Sequence, residues 1–213
     1  MNTLKWREMS RKQVYDAKIF SVFETLCMAP DLLESWQGCA EPAHESGRRP
    51  EKRLERGTIP PNESVFTVIE SRDWVIVVPV LKKERFDEFV MVRQWRHGAL
   101  EESVEFPGGV VEAGEEAETA ARRELREETG FVAGKLTKLA TMSPNPAIMG
   151  NHVHFFLAEQ LQFEGGQQLD KDEYVALEMC NVITLTEKMG KPPFIHALMA
   201  AALGFYHTHR ALS

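Results

Sequence analysis

The order of hydrophobic patterns along the chain predicts an α/β fold, with a mixed β-sheet lying between helices. Three observations carry this prediction. Residues 74–80, Trp-Val-Ile-Val-Val-Pro-Val, are apolar at every position, the mark of a central strand covered on both faces. The right half of residues 109–131 carries alanine and leucine at helical spacing and meets Gly130 where a C-terminal cap belongs. The chain closes on a second helical pattern over 194–207, with Leu198, Ala201 and Ala202 turned to the core.

The remaining elements follow in order. Residues 5–28 read as an N-terminal arm in which 18–23 alternate enough to form a strand. Trp6 suits a buried anchor better than a platform for a base. Residues 29–63 combine prolines, alternating charges and few apolar side chains, the composition of a long loop or insertion. The chain therefore divides into an arm with an insertion, 1–63, and a larger domain, 64–213. Strands are expected at 66–70, 74–80, 89–96 and 103–106, the last entering the turn Pro107-Gly108-Gly109. After the helix come strands at 135–142, 152–158 and 174–179, with a proline-rich loop, 143–151, between the first two.

Composition bounds the function. A net charge of −7 opposes non-specific affinity for nucleic acid or an anionic membrane. The basic cluster Arg48–Arg56 is interleaved with Glu51 and Glu55 and lacks aromatic residues, so a solvated loop accounts for it. The cysteines Cys27, Cys39 and Cys180 show neither metal-ligand spacing nor an even count. The first residues lack the apolar run of a signal peptide, and no segment reaches membrane-spanning length, so the cytoplasm is expected.

The chemistry concentrates in GVVEAGEEAETAARRELREETGF, residues 109–131. Glu115 and Glu116 are expected in the first helical turn, where the helix dipole favours negative charge. At about 100° per residue, Ala117, Ala120, Ala121, Glu124 and Glu128 share one face, with Glu127 at its border. A small-residue face should press against the protein, yet this one carries carboxylates. Crowded there, they repel and raise each other's pKa unless a cation neutralises them. Arg123 points more sideways and suits a pairing with Glu115. A hard divalent ion, Mg²⁺ or Mn²⁺, fits the three carboxylates better.

These residues match every position of the Nudix box, G-x₅-E-x₇-R-E-U-x-E-E-x-G-U, through Gly109, Glu115, Arg123, Glu124, Leu125, Glu127, Glu128, Gly130 and Phe131. The stretch thus resembles the Nudix hydrolases, and upstream VRQWRHGALEESVEFPGG resembles their ADP-ribose and nucleotide-sugar pyrophosphatase branch. The resemblance implies an α/β/α sandwich with a mixed sheet and an N-terminal β arm. It also implies a homodimer that exchanges those arms, and metal-dependent hydrolysis of a small nucleoside diphosphate derivative. Glu124, Glu127, Glu128 and the Gly108 carbonyl are then the metal ligands. Arg96 clamps the substrate's diphosphate, a task its fork geometry suits. Arg93, at opposite strand parity, is structural. Glu105 borders the site and is a substrate-binding candidate, with metal and a neighbouring backbone as its other options. Pro146 stands at a spacing past the box associated with this branch.

Residues 169–174, LDKDEY, match a loop that in the family often carries a water-activating glutamate. Glu173 is favoured over Asp170 and Asp172, having the longer arm and directly preceding a strand. His152 and His154 share a strand face, but two such residues without a third ligand do not make a metal site. Rival activities are hydrolysis of nucleoside triphosphates or of dinucleoside polyphosphates. An NADH-type pyrophosphatase lacks support, because neither a four-cysteine motif nor an SQPWPF segment is present. A non-catalytic ligand sensor would usually have lost box carboxylates, and none is missing here.

Overall fold

A computed structural model of the chain describes residues 4–30, 62–169, 171 and 173–213. The chain forms two compact units, Met1–Glu70 and Ser71–Ser213. The first extends past the expected boundary at 63, because the strand that follows finds its pairing partner in the arm. Its sheet has the order β1-β2-β3, from β1 (Arg7–Asp16), β2 (Phe20–Met28) and β3 (Glu63–Ser71). β1 and β2 form an antiparallel hairpin closed by Ala17 N–H donating to the Phe20 carbonyl at 2.9 Å. Sequence periodicity missed β1 because all ten of its residues are exposed, which leaves no buried face to write an alternation. Trp6 is 40% exposed rather than buried, and meets the Phe66 ring edge-on with centroids 5.0 Å apart. Most of the expected insertion lies outside the described residues.

The second unit holds a seven-stranded mixed sheet. Its path is β10-β5-β4-β9-β8, with β6 paired to β5 and β7 to β4. The strands are β4 (Trp74–Leu81), β5 (Glu88–Arg96), β6 (Glu101–Glu105), β7 (Gly108–Val110), β8 (Phe131–Met142), β9 (Val153–Phe163) and β10 (Val175–Asn181). β4 runs antiparallel to β5 and β7 and parallel to β9, the central place its apolar text requires. Its Ile76, Val78 and Val80 pack with Phe89, Met91, Phe155, Leu157, Leu203 and Tyr206. On the other face Val75 and Val77 meet Ala120, Ala121 and Leu125 of the helix α1 (Ala117–Thr129). Helices α2 (Val182–Lys188) and α3 (Ala197–Leu212) complete the layers.

Three details depart from the sequence expectation. α1 begins at Ala117, so Glu116 is its N-cap and Glu115 lies outside the first turn, free to face a partner on the helix. Residues 108–110 form β7 rather than a turn alone, because β4 supplies the missing ladder. α2 was not foreseen. It is short and rich in β-branched residues, and starts where the Asn181 side chain accepts from Thr184 N–H at 2.8 Å. α3 buries Met199, Ala202, Leu203 and Tyr206, while Leu198 and Ala201 pack at the margin. Its start falls after Pro193, whose missing N–H suits a connection more than a helix interior. Among the described residues, no helix is long and apolar enough to cross a membrane.

Candidate active site

α1 lays its carboxylates along a cleft of about 430 Å³ beside the Gly108–Gly109 stretch. The local sequence explains the placement. Ala120, Ala121 and Leu125 are fully buried and hold the helix close to β4, and burying Leu125 alone stabilises by about 2 kcal/mol. Gly130, at φ 76°, ends the helix with its N–H on the Arg126 carbonyl. Glu128 is thereby drawn inward and is 6% exposed. Its Oε2 accepts from Gly108 N–H at 2.9 Å. Burial above all, then the charges of Glu124 and Glu173, push its pKa up to about 8. Glu124 is also raised, by burial first and then by Glu127 and Glu173, against the opposing pull of Arg123. A Cβ at Gly109 would come within 2.3 Å of Glu124 Oε1, so only glycine leaves that carboxylate its place.

Arg123 does more than the sequence suggested. It grips both oxygens of Glu115 at 3.0 Å, as expected, but its Nη1 also donates to Glu124 at 2.8 Å and Glu127 at 3.1 Å. The expectation that Arg123 stands aside from the carboxylates is therefore corrected. Nη2 reaches the Val110 carbonyl as well, fastening the loop before α1 to the helix. Among the described residues, no group of three or more His, Cys, Asp or Glu side chains stands ready to hold a metal. Arg123 and the Gly108 N–H occupy the acidic oxygens instead. The donor set nonetheless fits a hard divalent cation: it is all oxygen, and two of its carboxylates carry raised pKa values that such an ion would offset.

Arg96 on β5 lies opposite Glu101 of β6, and its side chain reaches back along the ladder to Glu105. Arg96 donates to both Glu105 oxygens, from Nε at 2.8 Å and Nη2 at 2.5 Å. Burial would raise the Glu105 carboxyl, but these bonds outweigh it and hold it below its ordinary value. Glu105 is thus satisfied by a side chain, an option the sequence did not bring forward. Arg93 faces the other way and pairs with Glu178 and Glu102.

Glu173 is exposed and lines the same cleft as Glu124 and Glu128. Asp170 and Asp172 lie outside the described residues. The segment before them is pinned to the end of α1. Gln168 N–H donates to the Glu127 carbonyl at 2.8 Å, and Gln167 Nε2 reaches both the Glu128 carbonyl (2.6 Å) and the Val175 carbonyl (3.2 Å). Sequence reasoning missed Gln167, Gln168 and Arg72, which also lines the cleft. Two glutamines after a Gly-Gly turn were the only signal for the first pair, and Arg72 passed as a connector. Pro146 is exposed and is absent from the cleft's lining. His154 and His152 converge on Asp73, at 2.9 and 3.8 Å, rather than on each other's metal.

With this geometry in view, comparison with known proteins is informative. Residues 71–198 match the NUDIX domain family. The ADP-ribose pyrophosphatase of Bacillus subtilis (strain 168) is 43% identical over 99 residues, 46% of this chain and 54% of that protein. The match thus spans about half the length of that relative. ADP compounds hydrolase NudE of Escherichia coli (strain K12) is 28% identical over 135 residues, 62% of this chain and 69% of that protein. A crystal structure of an ADP compounds hydrolase superposes with a TM-score of 0.72 at 20% identity, covering 97% of this chain and 95% of the other, which establishes the shared fold. Box, fold and family match agree over well more than half of the chain, and it belongs to the Nudix family.

Proposed function

We propose that this protein is a divalent-metal-dependent pyrophosphatase. Its substrate is ADP-ribose or a related nucleoside diphosphate sugar, and its products are a nucleoside monophosphate and a sugar phosphate. The observation that carries the reading is the convergence of Glu124, Glu128, Glu173 and Arg96 on one cleft at the Gly108–Gly109 stretch. The names of the relatives, ADP-ribose pyrophosphatase and ADP compounds hydrolase, support the substrate class.

Each residue has a task in this reaction. Glu124, Glu127, Glu128 and the Gly108 carbonyl hold the cation, Mg²⁺ or Mn²⁺. The bound ion supplies charge neutralisation on the phosphoryl oxygens. Arg96 keeps Nε and Nη2 on Glu105 and offers Nη1 to a diphosphate oxygen. Glu173 takes a proton from water, whose oxygen attacks one phosphorus; the bond from that phosphorus to the bridging oxygen breaks, and the bridging oxygen leaves on the other phosphate. Glu173 suits the role because it is exposed to solvent and lines the same cleft as Glu124 and Glu128.

The same reading takes the protein as a cytoplasmic homodimer. β1 supports the dimer by exposing Met9, Val14 and Tyr15 on a strand with no buried face. Incubating the metal-free and Mg²⁺-loaded protein with diphosphate sugars and nucleoside triphosphates, and weighing the released phosphomonoesters, tests the activity. AMP and ribose 5-phosphate from ADP-ribose, only with metal, are expected. Faster turnover of a triphosphate than of every diphosphate sugar overturns the substrate class.

A further inference from the structure

The acidic cleft is lined by Arg72, Arg96 and Arg123 among its cationic side chains. Their charges are not equally available. Arg123 is shared among Glu115, Glu124 and Glu127. Arg96 is locked against Glu105. Arg72 is different: among the described residues, no carboxylate pairs with its exposed guanidinium. A substrate carrying a diphosphate must approach five cleft carboxylates, Glu112, Glu124, Glu127, Glu128 and Glu173, and the unspent cation facing it is Arg72.

An exposed arginine is usually just solvated, so its mounting matters. Arg72 sits on the two-residue turn between β3 and β4, and that turn is fastened from several directions. The Asn151 side chain, 3% exposed, donates to the Arg72 carbonyl at 3.1 Å. Val111 N–H donates to the Asp73 carbonyl at 2.8 Å, and Trp74 N–H to the His152 carbonyl at 2.9 Å. The Asp73 carboxylate accepts from His152 N–H at 2.7 Å and contacts His154 Nε2 at 2.9 Å. The root of Arg72 is therefore fixed, so less entropy is lost when the side chain engages a ligand.

We infer that Arg72 is a substrate-binding residue whose guanidinium fork receives an oxygen pair of the substrate's diphosphate. Arg96 can present one free nitrogen to the same group, whereas Arg72 presents its whole fork. The inference rests on the proposed pyrophosphatase reading and adds a second, uncommitted cation to it.

The test compares Arg72→Ala, Arg72→Lys and Arg72→Glu with Arg85→Ala, which removes the same charge from an exposed residue stacked on Phe86. ADP-ribose hydrolysis is measured with Mg²⁺, and ADP-ribose binding to metal-free protein by calorimetry. For Arg72→Ala, KM should rise about tenfold or more and Kd with it, the loss expected for one charge-assisted contact. Arg72→Lys should recover part of this and Arg72→Glu should be worse, while Arg85→Ala stays close to wild type. Unchanged KM and Kd in Arg72→Ala, or an equal rise in Arg85→Ala, overturns the assignment. Failure of the wild-type protein to hydrolyse any diphosphate compound counts against the enzymatic reading instead; the binding measurements then decide Arg72 by themselves.

Discussion

Arg96 and Glu105 form a two-pronged ion pair across β5 and β6, and the carboxylate end of that pair is 1% exposed. Neighbouring strands bring the two together: Val92 lies opposite Glu105 and Arg96 opposite Glu101, so the pair is made diagonally. Removing the cation leaves a buried carboxylate without compensation. Arg96→Ala should therefore cost about 3 kcal/mol in a denaturation experiment, beyond any effect on turnover. An Arg96→Ala/Glu105→Leu double variant should regain most of that stability. Equal midpoints for wild type and Arg96→Ala would show that the pair contributes nothing.

Metal dependence follows from the carboxylates of α1. Chelation should abolish hydrolysis, and Mg²⁺ or Mn²⁺ should restore it. Glu128→Gln keeps an acceptor for Gly108 N–H, so the variant should fold, yet turnover should fall by about 100-fold or more. Full activity in this variant removes Glu128 from the ligand set.

Gly108, just before the box, and Gly109, its first residue, should respond in opposite ways. A Cβ at Gly109 meets the movable end of Glu124, so Gly109→Ala should change stability by less than about 1 kcal/mol while weakening metal affinity. A Cβ at Gly108 would stand 2.1 Å from the Val75 carbonyl oxygen, where only the backbone can give. Gly108→Ala should lower the melting temperature. Calorimetric metal titration beside thermal melts separates the outcomes; a Gly109→Ala protein that binds metal normally refutes the first.

The raised Glu128 pKa sets a pH signature for the metal-free protein. Its folded value of about 8 lies above the ordinary 4.5, so between these pH values the folded state binds more protons than the unfolded one. Stability then falls as pH rises towards 8. His196, held below its ordinary 6.5 chiefly by burial, acts with the opposite sign at lower pH, so the useful window lies above 7. Chelated wild type should melt at a lower temperature at about pH 8.5 than at about pH 7, and Glu128→Gln should flatten this slope. A slope that survives the substitution assigns the proton elsewhere.

Gln167 joins the helix that carries Glu128 to the first residue of β10, two positions after Glu173. Gln167→Ala should lower kcat more than it raises KM, because the base loses its fixed root while binding groups stay in place. Glu173→Gln should lower kcat at least as far. Hydrogen exchange at Val175 should quicken in Gln167→Ala. Normal kcat in both variants would move the base to Glu127 or Glu105.

The sequence by itself determined the central apolar strand, the box helix with its Gly130 stop and the carboxylate face of that helix. These features are written in local periodicity and capping, which a short stretch of chain specifies without help. Only the tertiary structure decided which charges remain free. Arg96 is spent on Glu105 from the next strand, and Arg123 reaches Glu124 and Glu127 besides Glu115. Among the described residues, no carboxylate pairs with Arg72, which stands on a turn held by Asn151 and Asp73. The β1 and β7 strands likewise needed partners, since a strand without a buried face or adequate length carries no pattern of its own. Ion pairing depends on distance and burial, both set by packing between segments far apart in the chain, and so residue order alone does not encode it in readable form.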